Sequence, residues 1–244
     1  MVERHEIFGV PRDTLIRSGI IPPEKDTIGK ATYIPISSVG ELFRFIKTAH
    51  AKPELGGGYY RERTGAEEDP SFQQISMYGF VMKDGKLLTY QRGHANEEPR
   101  LDRSKIAIGV GGHMELDDTN FIQSFYREIA EEVEIFKDGV KIKISNGTGV
   151  DIKHFKELVS LVPVGIIKDE RDEVGRMHTG VAIRVEPKTP DIDIRVCMDN
   201  GESSTPILYV DPQVLFDKSK DGQVRVEGWG EIVLEKAIIP FIAS

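Results

Sequence analysis

Cysteine is almost absent from this 244-residue chain, which carries only Cys197. One thiol excludes an internal disulfide and a zinc site built on several thiolates, and points to a reducing compartment. Long apolar runs are also missing: no stretch of about eighteen such residues occurs, so no membrane-spanning helix is expected. The opening MVERHEIFGV lacks the charged-then-apolar pattern of a secretion signal, and the expected location is cytoplasmic. Positive charge is in short supply as well. The chain holds 40 Asp and Glu against 32 Lys and Arg, a formal net charge of −8. A general nucleic-acid binder needs a basic footprint to neutralise phosphates, and this balance argues against one.

What is present suits a soluble, loop-rich mixed α/β (α+β) protein. With 39% hydrophobic residues the chain can bury one substantial core, and 24 glycines supply its turns. Residues 75–82 and 86–91 are β-prone runs flanking Lys83-Asp84-Gly85, which reads as a hairpin with Asp84-Gly85 at its tip. Ile106–Val110 reads as a short buried strand. Further on, Asp138-Gly139 marks a turn before a strand over Val140–Ile144. Leu158–Ile167 and Met177–Val185 are expected strands joined by a polar loop, Lys168–Arg176, and Ile207–Val210 is the last strand. Trp229, Ile232, Val233 and Ala237 have helical spacing, with Pro240 expected to stop that helix. Earlier in the chain, Pro11–Ile20 and Ser37–Lys47 are each expected to form a short helix. Leu55-Gly56-Gly57-Gly58 is a turn and not a phosphate-binding P-loop, because no Gly-Lys-Ser/Thr follows.

The richest stretch is 111–135, GGHMELDDTNFIQSFYREIAEEVEI. Asn120 is a good N-cap, and Gln123 three residues later completes a capping box. The helix that follows carries Phe121, Ile122, Phe125, Ile129 and Val133 on its apolar side, which should dock it onto the sheet. Glu128, Glu131 and Glu132 stand at i, i+3 and i+4, so they project together and repel one another. A cation resolves that conflict, and a hard divalent ion such as Mg²⁺ prefers such oxygen ligands. The bland alternative is an acidic, solvated helix face.

Gly111-Gly112 together with Arg127-Glu128-Ile129-Ala130-Glu131-Glu132 and Ile135 resembles the Nudix hydrolase signature, G-x5-E-x7-R-E-U-x-E-E-x-G-U. The resemblance implies an α/β/α sandwich with a mixed sheet over 71–244, and an N-terminal extension over 1–70 packed on or covering that core. A little-characterised subgroup of predicted Nudix phosphoesterases is similar in further places: the lead-in Ala66–Phe72, Arg100-Leu101 before Ile108–His113, and the turn Val174–His178. Two positions depart from the signature. One extra residue lies between the glycines and the helix, so the first glutamate is replaced by Thr119 or Asp118, and the late glycine is Glu134.

The family likeness implies a Mg²⁺-dependent (or Mn²⁺-dependent) hydrolase. Its substrate would be a small molecule with a diphosphate bond, a nucleoside diphosphate linked to another moiety. Glu128, Glu131, Glu132 and a glycine-loop carbonyl, Gly112 or Gly111, would hold the metal. Arg127 would pair with a helix glutamate and fix its rotamer, and the general base is Glu131 or Glu132. The cluster Arg92, Arg100, Arg103 and Lys105 is a candidate phosphate contact, or else a set of solvated charges balancing Glu97 and Glu98. Glu170, Asp172 and Glu173 are candidate loop acids, with Glu173 preferred. His113 and His178 could contact substrate but are assigned no catalytic role.

Other readings stay open. A non-catalytic ligand sensor is kept open by the altered loop. Isoprenoid isomerase chemistry would need a reactive cysteine before the helix, and Cys197 lies well after it. The likeness leaves a homodimer open.

Overall fold

The computed structural model describes residues 6–23, 28–36, 47, 57–91, 105–114, 118, 121–144, 150–196 and 208–243, without the side chain of Ile122. The helix expected over Ser37–Lys47 (Lys47 apart), the first part of the Leu55–Gly58 turn and Cys197 lie outside these residues.

The described strands are β1 (Glu6–Pro11), β2 (Ala31–Pro35), β3 (Tyr59–Glu62), β4 (Phe72–Lys83), β5 (Lys86–Gln91), β6 (Ile106–Ala107) and β7 (Gly109–Val110). They continue with β8 (Val133–Lys137), β9 (Val140–Ile142), β10 (Val159–Asp169), β11 (His178–Pro187), β12 (Ile192–Val196) and β13 (Leu208–Val210). A large sheet runs in the order β13-β5-β4-β11-β10-β2, with β1 and β7 also beside β4, β3 beside β1, and β6 beside β5. A small sheet has the order β12-β8-β9. The first 70 residues therefore contribute strands to the large sheet. The described helices are α1 (Arg12–Arg17), α2 (Arg63–Ala66), α3 (Phe121–Glu132), α4 (Ile152–Leu158), α5 (Glu173–Met177), α6 (Pro212–Lys220), α7 (Gly228–Val233) and α8 (Ile239–Ile242).

Two compact units make up the chain. One comprises Met1–Met77, Gly112–Phe125 and Pro163–Ala182; the other comprises Tyr78–Gly111, Tyr126–Val162 and Ile183–Ser244. In the first, β1 pairs with β4 through Gly9↔Gln74, and β10 pairs with β2 through Ile167↔Tyr33. Ile7, Ala66 and Phe72 form a buried cluster, and Phe8 meets Tyr60 and Phe121 edge-on.

In the second unit, Asp84 and Gly85 have φ of 50° and 73°. Two successive left-handed residues form the tight turn whose twist matches a hairpin, and the register Lys83↔Lys86 follows. Asp138 and Gly139, at φ 50° and 79°, repeat the device between β8 and β9.

Helix α3 docks through Phe121, Phe125 and Ile129, all buried at four-residue spacing. Burying such side chains stabilises by roughly 1.5–3 kcal/mol each. Ile129 packs where strand β4 has no side chain: a Cβ on Gly79 would lie 2.3 Å from its Cδ1.

Four expectations are corrected. Val133 is not helical but opens β8, because Val133 and Ile135 alternate inward at a period of two while β8 pairs with β12. The N-terminal helix is only Arg12–Arg17, since Pro11 closes β1 and Gly19, at φ 68°, ends the turn. The polar loop Lys168–Arg176 is largely ordered structure: Lys168 and Asp169 complete β10, and Asp172 caps α5 by accepting the Gly175 N–H at 2.7 Å. Pro240 does not stop the last helix, which runs to Ile242. A wide π turn over Leu234–Ile238 precedes it and re-starts the helix, so the proline occupies a first-turn position where no N–H is needed.

Candidate functional site

Arg127 organises the carboxylate face of α3. Its two terminal nitrogens lie 2.9 Å from Glu128 Oε1 and 2.9 Å from Glu131 Oε2. The like-charge conflict foreseen on this face is thus relieved partly from within the helix. The carboxylates occupy unequal surroundings. The Glu128 side chain is 11% exposed and that of Glu131 47%, with Glu132 half-buried. Among the described residues, no three His, Cys, Asp or Glu side chains already converge as a metal cage.

The glycine loop precedes the helix. Gly111 has φ 148°, a backbone state that glycine tolerates and side chains resist. The Gly112 carbonyl accepts the Met77 N–H at 2.8 Å, which leaves its second lone pair. His113 bridges to Ser76, and the Met114 carbonyl accepts the Phe8 N–H at 3.1 Å. Asp118, one of the two stand-ins for the signature's first glutamate, is buried; Thr119 and Asn120 lie outside the described residues. Glu134 sits in β8 with its carboxylate on Lys141, and its backbone is not left-handed. The late glycine is dispensable here because the helix passes directly into a strand.

A second polar cluster went unseen in the sequence. Lys168 is fully buried, yet its ammonium donates to the carbonyls of Gly175, Arg176 and His178 at 2.8, 2.9 and 3.0 Å. It also lies 3.1 Å from Glu170 Oε1, which is 2.8 Å from Arg12. Burial pulls the Lys168 ammonium down to about 8 despite the opposing pull of Glu170. Gln73 holds the same turn, donating to the Arg176 carbonyl at 2.9 Å and accepting from Thr179 at 3.1 Å. Gly175 packs so closely that a Cβ would stand 2.1 Å from the Asp169 carbonyl oxygen.

That turn ends at His178, whose Nε2 lies 3.1 Å from His113 Nε2. His178 Nδ1 lies 2.6 Å from the Val174 carbonyl oxygen, which can only accept, so Nδ1 carries a hydrogen. Burial, then the neighbouring His178, push the His113 imidazole down to about 3.

The sequence-derived candidates fare unevenly. Arg127, Glu128 and Glu131 are brought together, with Glu132 on the following position of the same helix. Of the loop acids, Glu170 is buried in ion pairs, Asp172 is a helix cap, and Glu173 is exposed in the first turn of α5. Arg92, Arg100 and Arg103 lie outside the described residues. Lys168, Gln73 and Arg12 carried no sequence signal, because their partners are backbone carbonyls and a distant acid.

This architecture is a mixed α/β protein with a glycine loop leading to an acidic helix. Its likeness to known proteins narrows the class. No known family profile matches the chain. It is 26% identical over 229 residues to protein YmaB of Bacillus subtilis (strain 168), across 94% of this chain and 95% of that one. The crystal structure of Tm1382, provisionally assigned as a Nudix hydrolase, superposes with a TM-score of 0.57 at 16% identity, covering 97% of this chain and 99% of that one. The chain shares the fold of that structure.

Proposed function

We propose that the protein is a divalent-metal-dependent hydrolase that cleaves a diphosphate bond, in a nucleoside diphosphate linked to another moiety. The observation that carries this reading is the ordered carboxylate face of α3, where Arg127 spans Glu128 and Glu131 on the fold of a superfamily of hydrolases. The donor set suits Mg²⁺ or Mn²⁺, being oxygen throughout, with Glu128 buried beside a guanidinium.

Glu128, Glu131 and Glu132 would hold the ion, with the loop carbonyl of Gly112 as the expected fourth donor. The metal, when bound, polarises phosphoryl oxygens and lowers the pKa of a coordinated water. Arg127 orients two carboxylates so that neither must search for its rotamer. Either Glu131 or Glu132 accepts the proton of the attacking water, a role open to the less buried carboxylates. The signal that remains in favour of a ligand sensor is the replaced first glutamate of the signature.

The deciding experiment measures phosphate release from nucleoside triphosphates, ADP-ribose, nucleotide sugars and NADH. Wild type and Glu132→Gln are compared, with and without Mg²⁺, with phosphatase coupling to reveal the bond cleaved. Metal-dependent release that disappears in the variant supports the reading. Silence across the panel with a ligand still bound favours the sensor.

A further inference from the structure

We propose that His178 is a positioning residue for the glycine loop, acting through His113 as a strut of fixed tautomer. The inference rests on reading the glutamate face as a divalent-ion site served by the loop carbonyl.

The hydrogen positions follow from the partners. The Val174 carbonyl takes the hydrogen of His178 Nδ1, so neutral His178 offers only a lone pair at Nε2. His113 Nε2, 3.1 Å away, must then carry the hydrogen and donate it. A carbonyl, an imidazole and a second imidazole thus form one chain with a single direction.

Both ends of the chain are anchored. The His178 carbonyl is held by the buried Lys168 ammonium at 3.0 Å, and the turn that supplies Val174 is held by Lys168 and Gln73. At the other end, His113 is the first side chain after Gly111 and Gly112. Two glycines in sequence have no side chain by which the fold can grip them, and the widest backbone freedom of any residues. The Met77 and Ser76 backbones fix the loop along one strand edge. The imidazole pair supplies a second restraint, through the His113 side chain. Together with the Met77 N–H it sets where the Gly112 carbonyl sits.

The test uses Mn²⁺ alone as probe, titrated into the full chain and followed by the electron paramagnetic resonance of the free ion. His178→Phe keeps a ring but loses the acceptor, whereas His178→Gln keeps an acceptor at the distance of Nε2. His113→Leu and His113→Gln make the same comparison from the donor side, should the first pair fold poorly. The expected result is Mn²⁺ binding weakened about tenfold in the Phe and Leu variants, the worth of one hydrogen bond, and near wild type in both Gln variants. Unchanged binding in His178→Phe and His113→Leu, with binding lost in Glu132→Gln, overturns the strut and leaves the metal reading standing. Equal weakening in the Phe and Gln variants also overturns it. If wild type and Glu132→Gln bind alike, or neither binds, the metal reading fails and the strut with it. Long-range ¹H–¹⁵N spectra should show His178 as the Nδ1–H tautomer and His113 as the Nε2–H tautomer; the reverse pattern refutes the proposal independently.

Discussion

Arg127 holds Glu131 through one terminal nitrogen and Glu128 through the other, each at 2.9 Å. One guanidinium therefore fixes two carboxylates of different burial. A planar fork gives each carboxylate its own nitrogen in a fixed geometry, which the single nitrogen of an ammonium does not. On the proposed function, Arg127→Lys is expected to lower metal-dependent hydrolysis by about 10–100-fold, the usual loss when a residue that orients metal ligands is removed. The check is the Mg²⁺ concentration for half-maximal activity, which should rise; an unchanged value with full activity would remove Arg127 from the site.

Lys168 has no exposed surface and four oxygen neighbours. Lys168→Met would leave three carbonyls and part of the Glu170 charge without their buried cation. Breaking a buried pair from one side costs about 3–5 kcal/mol. Urea unfolding should register a loss of that size, and one below about 1 kcal/mol would mean that water replaces the ammonium.

Gly175 is irreplaceable for a reason of space. The obstacle to a Cβ is the Asp169 backbone, 2.1 Å away, and backbone cannot turn aside as a side-chain tip can. Gly175→Ala is expected to destabilise by about 2–3 kcal/mol, at the upper end of overpacking costs. A thermal midpoint equal to wild type would show that the turn opens without penalty.

The half-buried His113 is expected to make the protein acid-sensitive. Its folded value, near 3, lies below its unfolded value of 6.5. Between those limits the unfolded chain binds the proton and the folded chain does not, so stability falls as pH drops through that window. The expected loss on going from pH 7 to pH 5 is about 1–2 kcal/mol. In His113→Gln, which keeps a donor for His178, the decline over the same interval should shrink. Parallel pH profiles for both proteins would contradict the assignment.

The parts of this structure that could be read in advance share one property: their cause is local. Asp84-Gly85 and Asp138-Gly139 demand left-handed backbone, and both form hairpin tips. The stripe Phe121, Phe125, Ile129 declares a buried helix face, and the three glutamates declare a charged one. What stayed hidden depends on residues far apart in the chain. The His113–His178 contact spans 65 positions, and each histidine alone reads as an ordinary structural residue. Lys168 looked like the edge of a solvated loop, because nothing in its own neighbourhood says that a folded turn will close over it. Pro240 misled in the other direction: its usual power to end a helix was cancelled by the wide turn before it.

Helix α3 ends at Glu132 and becomes strand without an intervening residue. Its last four carbonyls lack partners within the helix, and the summed peptide dipoles place a partial negative charge at that end. Glu131 and Glu132 therefore stand at the pole least hospitable to them, each disfavoured by about 0.3–1 kcal/mol. The backbone and the side chains press the same electrostatic demand on one small volume. Arg127 answers it in part from the helix's own sequence, so any divalent ion that arrives must compete with a resident cation for the same oxygens.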